Sequence, residues 1–393
     1  MRSQLRTLLG SAALLAAVAA CAAPAQPAPA AAQPAASGAQ SAASGAPPAA
    51  GSAAPASAPA SAPAASTPRV TPLSPPITVT VGSSTAELPY GSIVALERGY
   101  FQELGIELDF QGRVGDSAAA MTAAAANNLD VASAATGPAL FNSAARGIDL
   151  SIVAANGEIT RDDRSQCWVA RKDLIESGQV KSPADFKGLR VAGQAQGVGS
   201  SNDVYLAKTL APYGLTYADV DEISMEFGSI NQAMSNRAID IGWQIEPLMT
   251  LGIEQGLYDR TSCTGEFYPG YQVTFLFYSP HFAENTQAAR NFIYAHLKGT
   301  REYDDALYRD VNRDQIVEML MKNTAVKDRP LWDKMARRWY SPTGRIDTAI
   351  LSSDQDYYVQ RGFLNQTVDV SKLVNTAFID YANAALGEYT VRP

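Results

Sequence analysis

The chain has 393 residues and a formal net charge of −8, because 39 Asp and Glu outnumber 31 Lys and Arg. This acidic balance argues against a nucleic acid as a partner, and 46% hydrophobic residues are enough for one or two large cores. The two histidines, His281 and His296, and the three cysteines form no close cluster in the sequence. The sequence therefore predicts neither a metal site nor a cofactor.

Residues 1–20 have the pattern of a secretory signal. Arg2 and Arg6 supply a positive start, and the apolar run at 8–20 is too short to span a bilayer as a helix. The junction "VAAC" (18–21) resembles a bacterial lipoprotein signal, so cleavage would leave a lipidated Cys21 as the N-terminus. The alternative is an ordinary signal in which Cys21 has no such role. With the lipid anchor, the protein would lie outside the cytoplasm, on the outer face of the cell membrane or in the periplasm.

The next segment, 21–76, consists almost entirely of Ala, Pro, Ser, Gly and Gln. It has no periodic apolar face and cannot form a core, so we expect a disordered tether between the anchor and the folded part.

From residue 77 the sequence alternates strand-like and helix-like patterns, which is typical of an α/β fold with parallel sheets. The first round predicts strands at 77–82, 105–111, 129–135 and 148–156, with helices at 90–99, 116–128 and 136–147. The second round predicts strands at 166–171, 189–193, 221–227, 239–244 and 271–279, with helices after the glycine-rich stretch and at 229–238 and 246–256. After 279 the pattern is nearly all helical.

We expect two α/β lobes, the first formed by 77–160 with 270–393 and the second by 161–269. Chain crossings between lobes form a hinge, and the cleft between them is the usual ligand position. Cys167 and Cys263 both fall in the second lobe. They either form a disulfide, which an exported location permits, or stay as two buried thiols.

Three stretches carry a family resemblance: "VALERGYFQELGIELDF" (94–110), "CWVARKDLIESGQVKSPADFKGLRVAG" (167–193) and "RAIDIGWQIEPLMTLGIEQG" (237–256). Together they resemble the SsuA/NMT1/THI5-like family of type II periplasmic binding proteins, over about 77–300. The resemblance implies a monomeric solute receptor of an ABC importer, whose two lobes close on one small molecule and deliver it to a membrane permease. The lipoprotein signal and the tether agree with that interpretation.

The stretch "GQAQGVGSS" (193–201) is a candidate ligand loop. It begins a dinucleotide pattern, but Asn202 stands where the third glycine belongs, and no lysine follows Gly199 as in a P-loop. Glycines permit close backbone approach, and a helix N-terminus attracts anionic or carbonyl oxygen. Gly199, Ser200, Ser201 and Asn202 are therefore predicted ligand contacts; the alternative is a helix cap with no ligand.

Other predicted contacts follow strand ends, where open α/β sheets bind ligands. They are Ser84, Glu87 and Tyr90 after the first strand, Thr136 and Gly137 after the third, Glu158 at the crossover, and Trp243 and Glu246 in the second lobe. For Trp243 the alternative is a core position. For Glu246 it is a helix-start carboxylate stabilised by the helix dipole.

The predicted loops hold three glutamates and little Lys or Arg, and a buried anion beside uncompensated carboxylates is costly. The sequence therefore favours an aromatic heterocycle, such as a thiamine-precursor pyrimidine or a riboflavin-like compound, as the ligand. Receptors for sulfonate, taurine or nitrate are the alternative, with Arg161 and Arg164 near the hinge available to an anion. A THI5-like pyrimidine synthase is a further alternative, but the cysteine-rich motif of that enzyme is missing from the sequence. A sensory or interaction protein is the last alternative.

Overall fold

The computed structural model describes residues 67–85, 87–148, 150–193 and 201–391, without the side chains of Ser201 and Asn202. The predicted signal, Cys21, most of the predicted tether, Gly199 and Ser200 lie outside the described residues. The tether was predicted to reach residue 76. Instead, Val70 and Leu73 pack on the first core, and the Leu73 amide donates to the Leu104 carbonyl (3.0 Å).

The first half of the folded chain builds most of one sheet. Its elements are β1 (Ile77–Ser83), α1 (Tyr90–Glu97), α2 (Tyr100–Glu103), β2 (Ile106–Arg113), α3 (Ser117–Ala125), β3 (Val131–Ala134), α4 (Pro138–Ala145) and β4 (Ser151–Glu158). Helix α3 begins where the Asp116 carboxylate accepts a hydrogen bond from the Ala119 amide at 2.8 Å, as expected for a cap at that position.

The middle of the chain builds the second sheet. Its elements are β5 (Gln166–Arg171), α5 (Lys172–Glu176), β6 (Arg190–Ala192), α6 (Ser201–Leu210), β7 (Asp221–Ile223), α7 (Phe227–Ser235), β8 (Ile241–Ile245), α8 (Leu248–Glu254), β9 (Tyr258–Cys263) and α9 (Thr264–Phe267). The chain then returns to the first sheet through β10 (Gln272–Tyr278).

Helices follow β10, with irregular stretches between them. They are α10 (Pro280–Glu284), α11 (Thr286–Arg309), α12 (Arg313–Asn323), α13 (Arg329–Lys334), α14 (Thr348–Gln360) and α15 (Ala377–Leu386). Helix α11 packs closely on α1: a Cβ added to Gly299 would lie 2.2 Å from the Gly91 carbonyl oxygen. This close approach fixes the start of α1, where Tyr90 enters the site described below.

The sheets have the orders β2-β1-β3-β10-β4 and β7-β6-β8-β5-β9. Within each sheet four strands run in one direction and one is reversed: β10 is antiparallel to β3 and β4, and β5 is antiparallel to β8 and β9. The prediction of parallel sheets is therefore wrong for β10 and β5. The antiparallel strands include the two that carry the chain from one sheet to the other, which the alternation of patterns does not reveal.

Candidate functional site

A cleft with about 1090 Å³ of empty space, partly open to solvent, lies where the ends of β1, β3 and β4 meet residues of the second sheet. The first-sheet side supplies Ser84, Thr85, Glu87, Leu88, Pro89, Tyr90, Ser117, Ser133, Ala135, Asn156, Gly157, Glu158, Val273 and Thr274. Ile159 and Gln166 lie at the crossing between the sheets, and the second-sheet side adds Tyr205, Phe227 and Ile245. A third part, Arg338, Trp339 and Tyr340, comes from the C-terminal region.

The turn after β1 forms one wall. The Ser84 amide donates to the Ser133 carbonyl at 2.9 Å, which ties the turn to the neighbouring strand β3. One carboxylate oxygen of Glu87 accepts from the Ala325 amide at 2.8 Å, so part of its charge is already compensated. The Tyr90 ring lies 5.2 Å from the Tyr340 ring, and burial raises the pKa of its hydroxyl, which stays protonated.

The segment carrying Arg338, Trp339 and Tyr340 runs beside β4 like a short additional strand. Tyr340 forms an antiparallel bridge with Gly157, and the Glu158 amide donates to the Trp339 carbonyl at 3.4 Å. The Trp339 indole donates to the Asp304 carboxylate at 2.9 Å. Extended backbone pairing therefore carries this part of the C-terminal region to the carboxyl end of β4.

Arg338 is the one basic side chain among the described residues that line the cleft. It is half-buried and forms no salt bridge with any carboxylate of the described residues. A guanidinium is always protonated and presents its donors in a fork that fits planar or tetrahedral oxyanions. Arg338 shares a hydrogen bond with the Tyr340 hydroxyl, and its charge opposes the rise that burial causes in the pKa of the nearby Asp163. Guanidinium donors that are not used by these neighbours can bind an anion in the cleft.

Glu158 lies at the end of β4 and is half-buried. Burial raises the pKa of its carboxyl to about 7; the hydrogen bond with Gln272 opposes that rise and the charge of Asp347 adds to it. Near neutral pH a large fraction of Glu158 is therefore uncharged and able to donate a hydrogen bond. Beside it, Oδ1 of Asn156 is buried and has no hydrogen-bond partner within the described part of the chain.

The structure brings four of the predicted contacts together in the cleft: Ser84, Glu87, Tyr90 and Glu158. Thr136 and Gly137 precede α4 but do not line the cleft. Thr136 is buried, and its hydroxyl has no hydrogen-bond partner among the described residues. Ser201 and Asn202 form the start of α6. The assignment of these residues as ligand contacts stays a prediction.

Trp243 and Glu246 do not line the cleft, and each has the alternative position that the sequence left open, a core position for Trp243 and a helix-start carboxylate for Glu246. Trp243 is 0% exposed, and its ring packs 5.0 Å from Trp168 and 4.9 Å from Tyr205, so it belongs to the core of the second lobe and cannot stack on a ligand. Glu246 is 7% exposed and does not line the cleft. Its carboxylate pairs with Arg260 at 3.0 Å and accepts from the Thr250 amide at 3.1 Å.

Arg338, Trp339 and Tyr340 were not predicted. The sequence "RRWYSPTG" (337–344) does contain a signal, because a basic and aromatic cluster stands immediately before proline and glycine, which interrupt helices. The region was instead predicted to be helical.

Cys167 and Cys263 form a disulfide between the paired strands β5 and β9. The sequence left a disulfide and two free thiols open as alternatives, and the structure contains the disulfide. No helix of the described residues is both long and apolar enough to cross a membrane.

Two mixed sheets connected by crossings of the chain, with a cleft between them, define the fold of a two-lobed periplasmic binding protein. The chain belongs to the NMT1/THI5-like family, whose sequence profile matches residues 90–305, more than half of the chain. The matched region ends before Arg338. No curated protein matches the sequence significantly.

Solved structures confirm the fold. The alkanesulfonate-binding protein SsuA from Xanthomonas axonopodis pv. citri, bound to MOPS, is 19% identical, with 77% of this chain and 99% of that chain covered and a TM-score of 0.58. The periplasmic nitrate-binding protein NrtA from Synechocystis PCC 6803 is 16% identical, with 79% and 89% covered and a TM-score of 0.57. The desulfurization enzyme DSZB is 14% identical, with 78% and 98% covered and a TM-score of 0.54. The same fold thus occurs in binding proteins and in an enzyme.

Proposed function

We propose that this protein is the extracytoplasmic solute-binding component of an ABC importer and that its cleft captures a small organic anion of the sulfonate kind. The observation that carries the proposal is Arg338, which lines the cleft and forms no salt bridge with a carboxylate of the described residues. Tyr90 and Tyr340 are protonated hydroxyl donors beside it. Two of the similar structures bind sulfonate-type compounds or nitrate, which supports an anion.

The walls of the cleft favour an organic anion over a small inorganic one. Apolar surface that would cover a hydrocarbon part of the ligand comes from Leu88, Tyr205, Phe227, Ile245 and Trp339. Nitrate has no hydrocarbon part and would leave this surface uncovered. A sulfonate with an alkyl or ring substituent would contact both Arg338 and the apolar wall.

The preference for an uncharged heterocycle rested on three glutamates facing the ligand, and the positions of those glutamates weaken it. Glu246 forms a salt bridge with Arg260, and the Glu87 carboxylate accepts a hydrogen bond from a backbone amide. Burial raises the pKa of Glu158 to about 7, so its carboxyl carries less negative charge near neutral pH. The aromatic walls still suit a ring, so a pyrimidine or flavin remains the second candidate.

A thermal-shift and calorimetry panel tests the ligand class. It contains MOPS, 1-butanesulfonate, taurine, nitrate, a hydroxymethylpyrimidine and riboflavin, each measured against the same protein. A ligand that binds only the folded state raises the melting temperature, and we expect the organic sulfonates to give the largest shifts. A shift with riboflavin or the pyrimidine and none with any anion would contradict the proposal.

The proposal includes a place for the protein in the cell. The lipidated Cys21 and the tether hold the lobes near a membrane permease, to which the closed protein delivers its solute without chemical change. The test is phase partitioning in Triton X-114 after expression in a bacterium. Wild type is expected in the detergent phase and Cys21→Ser in the aqueous phase; equal partitioning would contradict the anchor.

A further inference from the structure

The carboxylate of Glu246 connects the second sheet to the C-terminal region. The residue follows β8, and its own amide donates to the Ser165 carbonyl at 3.0 Å near the crossing between the sheets. One carboxylate oxygen accepts from Arg260 at 3.0 Å and from the Ala336 amide at 3.1 Å. The other accepts from the Thr250 amide at 3.1 Å. Three donors therefore converge on a side chain that is almost completely buried.

Ala336 lies two residues before Arg338 in the arginine segment, which we define as residues 335–340. The segment follows α13 without regular structure until Tyr340 bridges to Gly157. The segment is therefore fixed at two residues, Ala336 by its hydrogen bond to Glu246 and Tyr340 by its bridge to β4. Arg338 lies midway between them in the sequence. A smaller cavity, about 370 Å³, is lined by Glu246, Arg338 and Tyr90 together, so the carboxylate lies next to the cleft wall.

We propose that Glu246 is a positioning residue for anion capture: its carboxylate, fixed in the second lobe, holds the arginine segment so that Arg338 points into the cleft. This inference rests on the proposed function of the cleft. The Glu246 carboxylate forms an ion pair with Arg260 at 3.0 Å, and a hydrogen bond to a charged acceptor is stronger than one to a neutral acceptor. The position of the second lobe relative to the arginine segment thereby determines where the Arg338 guanidinium lies.

The first experiment does not depend on any ligand. Hydrogen exchange of the peptide covering 335–341 is measured in wild type, Glu246→Gln, Ala336→Pro and Glu254→Gln. Ala336→Pro removes the donated N–H without touching the carboxylate, and Met335 before it already has the extended conformation (φ −70°, ψ 149°) that proline requires of its predecessor. Glu254 is the control, because it pairs with Lys334 at 2.5 Å on the exposed surface.

We expect exchange of this peptide to increase at least several-fold in Glu246→Gln and Ala336→Pro and to stay unchanged in Glu254→Gln. Unchanged exchange in both test variants would overturn the inference, whether or not the protein binds an anion.

The second experiment is a double-mutant cycle on MOPS affinity. Glu246→Gln is expected to weaken MOPS binding roughly tenfold in the wild-type background and to have no effect when Arg338→Gln is already present. Equal weakening in both backgrounds would assign Glu246 a general structural role and overturn the inference. If wild type binds none of the anions, the proposed function fails, and the exchange experiment still decides whether Glu246 holds the segment.

Discussion

At the scale of single residues, the arrangement around Arg338 separates ligand binding from structural support. Most buried charges in the described chain are matched: Asp240, for example, accepts from both Arg171 and Arg190 at 2.8 Å. Arg338 instead lies beside the Tyr90 and Tyr340 hydroxyls, and the Tyr340 oxygen accepts a hydrogen bond from the guanidinium. Both hydroxyls keep a proton that can be donated to an anion, although a neutral hydroxyl is a weaker donor than a guanidinium. Residues that all offer donors to the same space are suited to an incoming acceptor.

Replacing Arg338 by glutamine should weaken sulfonate binding about 10- to 100-fold, because charge-assisted hydrogen bonds contribute about 1.5–3 kcal/mol. Arg337→Gln is the matched control, since that neighbour is exposed and does not line the cleft. Calorimetry with MOPS and 1-butanesulfonate gives both affinities. If the two variants bind alike, Arg338 is not the anion contact.

Glu158 should make anion binding depend on pH. Its pKa is about 7, so the neutral form dominates at pH 6 and the carboxylate dominates at pH 8, where it repels a bound anion. If only the neutral form is competent, the apparent Kd rises roughly tenfold between these values. MOPS itself titrates in this range, so 1-butanesulfonate is the ligand to use. Glu158→Gln should remove the dependence; a variant with the same pH profile as wild type would refute this role.

At the scale of elements, the sequence was sufficient to predict where most strands lie. Of the ten strands in the described residues, all except β9 overlap a predicted one. They could be predicted because short apolar runs between glycines and capped helices indicate buried strands. Strand β9 (Tyr258–Cys263) was missed, since it is an edge strand and carries the charged Asp259 and Arg260. Strand direction was also missed, because it depends on which sheet the chain enters.

Helix α14 packs against both halves of the molecule. Leu351 and Tyr358 belong to a core with first-sheet residues, whereas Ile350 packs on the second-sheet core. The Asp354 carboxylate accepts from the Tyr268 hydroxyl at 2.8 Å, and its other oxygen is buried without a partner among the described residues. Burial raises the pKa of Asp354 to about 7, against the hydrogen bond from Tyr268 and the charge of Lys208.

Asp354→Asn should therefore change stability in a pH-dependent way. Between the ordinary aspartate pKa near 4 and about 7, the unfolded chain is ionised while the folded protein keeps the proton, so wild-type stability falls as pH rises through this window. The variant lacks that loss, and its melting temperature relative to wild type should increase from pH 5 to pH 8. Asp356→Asn, an exposed change on the same helix, should show no such trend. A constant difference across this range would contradict the assignment.

At the scale of the whole molecule, the cleft combines residues that are far apart in the sequence. Ser84 and Tyr90 follow the first strand and were predictable from the rule that ligands bind at strand ends. Arg338 reaches the same cleft only because its segment pairs with β4 across long intervening helices. Hydrophobic periodicity predicts each element separately and carries no information about such pairing. The sequence therefore did not place Arg338 in the cleft, and an uncharged ligand was favoured for that reason.

The disulfide between Cys167 and Cys263 makes a prediction at this scale, because it closes a loop with a sequence separation of 96 that contains nearly all of the second lobe. Cross-linking restricts the unfolded chain, and for a loop near this length the chain-entropy model gives about 4–5 kcal/mol. Replacing both cysteines by alanine should lower the melting temperature by several degrees. Neither cysteine itself lines the cleft, so MOPS affinity below the transition should stay within about twofold of wild type. Wild type treated with reductant should unfold at the temperature of the double variant. An unchanged melting temperature in both samples would mean that the bridge does not constrain the second lobe.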